Sequence, residues 1–192
     1  MFDRTIPGRL LALPLLIALA GPAAAQTNVS GGAEAAPALD DATIVAIFDA
    51  ANTADIETGA LAAEKGSSRE VREYGAMLAR DHEAVRKLGR DLAAKLEVTP
   101  TPPADDASAA AHAAAMKSLR SKSGTAFDRA FLEHEIAFHQ AVIDAMNSTL
   151  LPAIDNAEVK ALVVKVAPAF EAHKVRAQQI LSGMESGAAA GR

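Results

Sequence analysis

Residues 69–95, with the sequence REVREYGAMLARDHEAVRKLGRDLAAK, contain the pattern that decides the fold. Apolar side chains recur there at alternating spacings of three and four residues, which is typical of a helix with one buried stripe. The stripe consists of Val71, Tyr74, Leu78, Val85, Leu88 and Leu92. The missing turn between Leu78 and Val85 falls on Asp81, with His82 on the adjoining edge. The pattern therefore predicts a carboxylate and an imidazole where the helix buries its apolar groups.

Three further stretches of the chain have the same helical pattern. Long helices are predicted near residues 41–65, 69–97, 126–148 and 156–183. Capping boxes are predicted at Ser67-x-x-Glu70, Thr125-x-x-Asp128 and Asp155-x-x-Glu158. The short turn between the first two helices predicts an antiparallel hairpin. The connector 98–124, with a short helix from Asp105 to about Leu119, is long enough to run the length of a bundle. The sequence thus predicts an all-α four-helix bundle with one long crossover between helices 2 and 3.

The composition favours closely packed helices and excludes several kinds of site. The chain has 192 residues, no cysteine, no tryptophan and an aromatic content of only 4%. Without cysteine the protein has no disulfide, no zinc–thiolate site and no thiol nucleophile. A formal net charge of −5 without basic clusters argues against nucleic acid and anionic lipid as partners. The length predicts a single domain.

The first residues have the pattern of a secretory signal peptide. Arg4 and Arg9 precede an apolar run from Leu10 to Ala20, and the small residues Ala23 to Ala25 follow. The run is too short for a transmembrane anchor, which needs ~20 apolar residues. We therefore predict a periplasmic or secreted protein with a signal peptide over residues 1–25, a disordered lead-in over 26–40, a helical domain over 41–184 and a flexible tail over 185–192.

Each of the four predicted helices carries a polar interruption in its apolar stripe. The residues concerned are Asp55, Asp81, His82, Glu135, His139 and His173. At a rise of ~1.5 Å per residue they lie roughly 12–21 Å from one shared end of the bundle. We therefore expect them to form one polar layer across the bundle.

The predicted layer has the chemistry of a metal site. Glu135 and His139 are four residues apart, so both side chains project from the same helix face and can ligate one ion. Carboxylate and imidazole ligands together suit Fe, Mn, Zn or Cu(II), and the nearby Met77 and Met146 add Cu(I) as an option. The alternative is a structural hydrogen-bond network, because buried Asp–His and Glu–His pairs can fix helix register without any ligand.

The order of several short motifs resembles a known bacterial family. The motifs are Ala54-Asp55-Ile56-Glu57-Thr58-Gly59-Ala60-Leu61-Ala62, Met77 to His82, Phe127-Asp128-Arg129, His139-Gln140 and Pro168 to His173. They resemble the bacterial envelope family catalogued as domain of unknown function 4142, over about Asp41 to Leu181. The resemblance implies a ferritin-like bundle in the cell envelope. Ferritin-like di-iron proteins carry Glu-x-x-His on two helices, which this sequence lacks, so a ferroxidase or di-iron oxygenase is not expected.

Two functions remain open on the sequence alone. The first is an exported helical bundle that stores, buffers or senses a transition metal bound in the polar layer. The second is a non-enzymatic envelope protein for stress tolerance or interaction, in which the polar layer is purely structural. Its partner would be a second copy of the chain or another envelope protein. Beside these two, a metal-dependent oxidase or peroxidase is a third, less favoured option.

Overall fold

The computed structural model of this protein describes residues 39–104 and 106–190. Within these ranges every secondary-structure element is a helix, which confirms the all-α prediction. The elements are α1 (Asp41–Lys65), α2 (Arg69–Lys95), α3 (Ser108–Arg120), α4 (Gly124–Ala145), a π-helical turn (Met146–Leu150), α5 (Leu151–Ala153) and α6 (Ala157–Ala190). The predicted signal peptide 1–25 and residues 26–38 of the predicted lead-in lie outside the described residues.

The four long helices contact one another in the cyclic order α1, α2, α6, α4. The carboxylate of Asp41, at the start of α1, accepts the two backbone N–H groups that directly precede α6, at 3.2 and 2.9 Å. The carboxylate of Asp128, near the start of α4, accepts the N–H groups of Ser67 and Ser68 in the α1–α2 turn, at 2.7 and 2.8 Å. Hence α1 and α6 begin at one end and α4 begins at the other. Neighbouring helices in the ring are antiparallel.

The connection between α2 and α4 runs from one end of the protein to the other, because both helices point in the same direction. It contains α3, which begins at Ser108 and packs against both α1 and α4. His112 of α3 is held to Glu57 of α1 by a 2.8 Å contact between Nε2 and Oε2. The short helix predicted from Asp105 therefore exists, and it covers the seam between α1 and α4.

Helices α1 and α2 approach to backbone contact where Gly59 faces Gly75. A β-carbon on Gly75 would lie 2.6 Å from the carbonyl oxygen of Gly59, and one on Gly59 would lie 2.7 Å from the carbonyl oxygen of Gly75. Real β-carbons do not approach oxygen this closely, so neither position accepts a side chain without separation of the helices. The close crossing brings the polar side chains of α1 next to those of α2.

Several predicted helix ends need correction. The N-cap of α2 is Ser68 rather than Ser67, and its hydroxyl accepts the N–H of Val71. Asp128 makes no capping box with Thr125, because its carboxylate reaches across to the α1–α2 turn instead. Asn156 rather than Asp155 accepts the first N–H groups of α6. That helix continues to Ala190, past the end predicted near residue 184.

The apolar core is divided into two clusters, one toward each end of the protein. One cluster is built from Ile44, Val45, Phe48, Ala93, Ile143, Met146, Leu150, Ile154, Val159, Val163, Val166 and Phe170. The other is built from Ala62, Val71, Tyr74, Leu78, Leu119, Phe127, Phe131, Leu132, Ala177 and Ile180. Along each long helix the buried polar residues fall between the two clusters, with the exception of Asp128 near the start of α4. In the described part of the chain, no helix combines the length and the hydropathy that a membrane span requires.

Candidate metal centre

The buried polar side chains form one layer between the two apolar clusters. Helix α1 supplies three of them, α2 one, α4 two and α6 one. They are Asn52, Asp55, Thr58, His82, Glu135, His139 and His173, each at most 6% exposed. An eighth buried polar residue, Asp128, lies away from the layer at the α1–α2 turn. Every long helix therefore directs polar groups to the same level.

Three imidazoles from three different helices meet in this layer. The ring centroids of His82, His139 and His173 are 5.0, 5.5 and 5.6 Å apart, taken pairwise. One nitrogen of each ring lies within 4.8 Å of one nitrogen of both others. The shortest separation, 3.1 Å, joins Nε2 of His82 to Nδ1 of His173. Two nitrogens bound tetrahedrally to one ion at ~2.0–2.1 Å are roughly 3.3 Å apart, which the His82–His173 pair matches, and the nitrogen of His139 lies within 4.8 Å of both.

The remaining nitrogen of His82 is fixed by Asn52. The amide Nδ2 of Asn52 donates to the carbonyl of Phe48 at 2.8 Å, which turns its Oδ1 toward the imidazole. Nδ1 of His82 lies 3.0 Å from that oxygen, so Nδ1 must carry the proton. Nε2 of His82 therefore keeps its lone pair, directed at His173.

The other two histidines are held in the same way. Nδ1 of His139 donates to the backbone carbonyl of Glu135 at 2.9 Å, which leaves the lone pair on Nε2. That Nε2 is buried and has no hydrogen-bond partner in the described part of the chain. Nε2 of His173 lies 3.4 Å from Oδ2 of Asp81 and its Nδ1 lies 3.1 Å from Nε2 of His82, so Nδ1 donates to His82 without an ion, and a proton on Nε2 would free Nδ1 to bind one. Hydrogen bonding of the nitrogen opposite the ligand atom is what orients histidine ligands in metal sites.

Two buried carboxyl groups lie behind the imidazoles. Oδ2 of Asp55 is 3.4 Å from Nδ1 of His82, and Oε2 of Glu135 is 3.5 Å from Nδ1 of His139. Asp55 and Glu135 are at most 1% exposed, and none of their four side-chain oxygens has a hydrogen-bond partner among the described residues. Buried carboxyl oxygens without partners are costly. These groups face the protonated nitrogens of the rings, and Asp55, Glu135 and His139 also form a second group of three donors that lie within 4.8 Å of one another.

Burial sets the ionisation of the whole layer. It lowers the pKa of His82 to about 2 and that of His139 to about 3, and it lowers the pKa of His173 as well. Burial raises the pKa of Glu135 to about 7, and burial together with the nearby Glu135 raises the pKa of Asp55 well above its ordinary value. Both directions favour the uncharged forms. A cation in the layer would reverse this preference at the carboxyl groups.

Five of the six predicted site residues are buried in the layer, and the sixth is not. The prediction that Asp81 occupies the buried stripe is wrong, because its side chain is 36% exposed and pairs with Arg80 at 2.9 Å. His82, predicted at the edge, is 1% exposed. The reason is the position of each residue around α2. Tyr74, Leu78 and His82 are spaced by four and face the interior, whereas Asp81, one position before His82, points toward the surface. Asp81 reaches the layer only through its contact with His173.

Three contributors were missed by the sequence prediction. Asn52 precedes Asp55 by three residues, a spacing that places both on one helix face and could have identified it. The hydroxyl of Tyr74 donates to the backbone carbonyl of His173 at 3.1 Å, a contact without any sequence signal. Phe170 packs against His82 and His139, with ring centroids 5.1 and 5.8 Å away. This aromatic ring closes the layer on the side of the first apolar cluster.

The methionines do not join the histidines. Met146 belongs to the apolar cluster that contains Phe48, and Met77 packs against the cluster that contains Tyr74. The two thioethers therefore lie on opposite sides of the polar layer. This arrangement gives no support to the Cu(I) option, which rested on sulfur ligands.

The fold and the site together define a class, the all-helical proteins with a histidine and carboxylate layer buried between helices. The family comparison goes one step further, because the model of the family named Domain of unknown function (DUF4142) matches residues 26–180. The chain belongs to this family, which confirms the resemblance seen in its motifs. Comparisons with curated proteins and with solved structures gave no match.

Proposed function

We propose that this protein binds one divalent transition-metal ion through His82, His139 and His173. The observation that carries the proposal is that three imidazole nitrogens from three helices lie within 4.8 Å of one another. In each ring the opposite nitrogen faces an oxygen acceptor, at 3.0, 2.9 and 3.4 Å respectively. Three histidines with a free fourth position are a known donor set for zinc and related ions.

The alternative of a purely structural network is less well supported. A network that only fixes helix register satisfies its polar atoms, since each unmade buried hydrogen bond costs about 1–3 kcal/mol. Here Nε2 of His139 has no partner among the described residues, and the neighbouring carboxyl groups of Asp55 and Glu135 shift each other's pKa without a hydrogen bond of standard geometry at any of their four oxygens. A cation close to these atoms would stabilise all five of them.

Charge balance favours a divalent ion. Three neutral imidazoles contribute no charge, whereas Asp55 and Glu135 contribute two negative charges once they ionise. A divalent ion would make the layer neutral, which lowers the cost of burying it. Imidazole ligands suit Zn, Cu(II) and Fe, and Mn remains open because carboxylates lie close by. We propose storage, buffering or sensing of such an ion rather than catalysis.

We also propose that the chain is an exported, ferritin-like four-helix bundle. The antiparallel ring of α1, α2, α6 and α4 and the long crossover that contains α3 support this fold. Export rests on the basic, apolar and small-residue segments before Gln26, and intact mass measurement of periplasmic protein would test it. A mass that included Met1 would contradict export. The partner we propose is a second copy of the chain or another envelope protein.

The metal proposal is tested by unfolding the protein with and without ions. Protein made without a metal-binding tag is stripped with chelator, and its urea unfolding is followed after addition of Zn, Cu(II), Fe(II) or Mn. The ion that fits should raise the free energy of unfolding by about 4 kcal/mol at a thousandfold excess over its dissociation constant. His139→Ala should lose this gain. His112→Ala is the matched control, because His112 lies on α3 against Glu57 and should keep the gain.

The two functions give different results in this experiment. If the layer is a structural network, His139→Ala loses the same stability with or without metal, because Glu135 is left without its neighbour. A wild-type protein whose stability does not respond to any of the four ions contradicts the metal proposal. Elemental analysis should give one ion per chain for the ion that fits.

A further inference from the structure

The polar layer is closed to solvent on three of its four sides by side chains that a cation would not pass. The relevant surfaces are the four seams between neighbouring helices in the ring. A side chain lies across each seam. It contacts either a residue of the layer or a residue close to one in sequence. The four seams differ in how far their covering side chains are exposed, and this difference indicates where an ion would enter.

A cationic side chain lies across each of two seams. On the α1–α2 seam, Arg86 of α2 donates to Thr53 of α1 at 3.2 Å, directly beside Asn52. On the α4–α6 seam, Lys174 of α6 donates to Gln140 of α4 at 2.9 Å, directly beside His139. Both cations are mostly buried, with side chains 18% and 13% exposed. Each of these cations is paired with a carboxylate of its own helix, Arg86 with Glu83 and Lys174 with Glu171, so an ion pair covers each of the two seams.

The third seam, between α1 and α4, is covered by a whole helix. Helix α3 packs against both α1 and α4. Its His112 contacts Glu57, two residues from Asp55 in sequence, at 2.8 Å. The carboxyl groups of Asp55 and Glu135 behind this cover are at most 1% exposed. This side of the layer therefore gives no direct access to solvent.

The fourth seam, between α2 and α6, carries a carboxylate. Asp81 is 36% exposed at its side chain, and its Oδ2 lies 3.4 Å from Nε2 of His173. His173 is the most exposed of the three histidines, at 6%, whereas His82 and His139 are at most 1% exposed. The other oxygen of Asp81 is paired with Arg80, a surface pair whose arginine side chain is 71% exposed. Such exposed pairs are weak and exchange readily.

We propose that Asp81 and His173 form the entrance of the metal site, where Asp81 takes up the hydrated divalent ion and His173 transfers it to His82 and His139. This inference rests on the proposed metal binding and concerns its kinetics. Asp81 offers the negative charge that attracts the ion, and its direct neighbour His173 is the first ligand along the path. The ion pairs that cover two of the other seams and helix α3 on the third leave α2–α6 as the favoured route.

The test measures association of Co(II) with the metal-free protein by stopped-flow absorbance. Asp81→Asn keeps an oxygen acceptor for His173 and removes the charge, so association should slow by roughly tenfold and lose most of its dependence on salt. Asp81→Glu should restore most of the rate. Glu73→Gln makes the same charge change on α2, at an exposed site paired with Arg69, and should stay within about twofold of wild type. Lys174→Gln should also leave the rate unchanged.

Each alternative result is distinct. Unchanged association with faster dissociation in Asp81→Asn would overturn the entrance and leave Asp81 as a positioning residue for His173. Faster association in Lys174→Gln would overturn it in favour of the α4–α6 seam. If wild type binds neither Co(II) nor Zn, Cu(II), Fe(II) or Mn, the metal proposal is wrong. The proposed entrance is then wrong as well. Helical circular dichroism of each variant confirms that the fold is retained.

Discussion

Replacement of Asp128 by Ala should strongly destabilise the protein, although Asp128 lies away from the polar layer. The side chain of Asp128 is 1% exposed and accepts two backbone N–H groups, those of Ser67 and Ser68, at 2.7 and 2.8 Å. Hydrogen bonds to a charged group contribute about 1.5–3 kcal/mol each, so the loss of both should cost about 3–6 kcal/mol. Asp128→Asn keeps one acceptor and should cost about half as much.

The assay for Asp128 is urea unfolding followed by circular dichroism, with metal removed so that the layer plays no part. The midpoint should fall while the slope of the transition stays constant, because the folded state buries the same surface. Glu133→Ala on the same helix is the control, since Glu133 makes only an exposed 3.8 Å pair with Arg129 and should cost less than about 1 kcal/mol. A cost below about 1 kcal/mol for Asp128→Ala would refute the reasoning, because it would mean that water replaces the carboxylate without loss.

Two further outcomes follow from the crossing of α1 with α2 and from the neutral histidines. Gly75→Ala should cost about 2–3 kcal/mol, because its β-carbon would meet a backbone oxygen at 2.6 Å. Gly183→Ala, where a β-carbon meets nothing within 4 Å, should stabilise α6 by up to about 1 kcal/mol, and urea unfolding that ranks the two variants equally would contradict the packing argument. The pKa values of His82 and His139 fall from 6.5 to about 2 and about 3 on folding, so the unfolded chain binds more protons and the metal-free protein loses stability as the pH drops. The raised pKa values of the two buried carboxyl groups act in the opposite direction from their ordinary range upward and offset part of this loss, whereas the lowered pKa values of His173 and His134 add to it. The loss should therefore begin below about pH 6.5 and steepen below about pH 4.5, where His82 and His139 alone contribute about 2.7 kcal/mol per pH unit. Unfolding free energies that stay level down to about pH 3.5 would show that the histidines are protonated in the folded protein.

The helices could be predicted from the sequence because the signals that define them are local. The apolar stripe of α1 and Gly66, a residue type that commonly ends helices, predict α1 as Asp41–Lys65, as observed. The predicted N-cap of α2 is wrong by one residue. The C-terminal end of α6 was less predictable, since residues after Met184 lack both an apolar stripe and a proline stop. The contact of Asp128 with the α1–α2 turn has no local signal, because it joins residues about 60 positions apart.

The polar layer could be predicted as a set of residues, but its internal chemistry could not. Polar interruptions in four apolar stripes place Asp55, His82, Glu135, His139 and His173 at one level, and the structure gathers them there. The sequence pattern does not distinguish ligands from supporting groups. That distinction depends on which nitrogen of each ring faces an oxygen, and such contacts arise only when helices pack.

The three histidines come from two different halves of the chain. His82 comes from the α1–α2 hairpin, whereas His139 and His173 come from the α4–α6 hairpin, and a single long connection joins the two. If the backbone were cut between residues 98 and 104, the two halves would remain as separate hairpins, each with an incomplete set of donors. An ion bound as proposed would then hold the two peptides together reversibly. Reassembly of the halves on addition of metal, and their separation by chelator, would turn this protein into a fragment-complementation system.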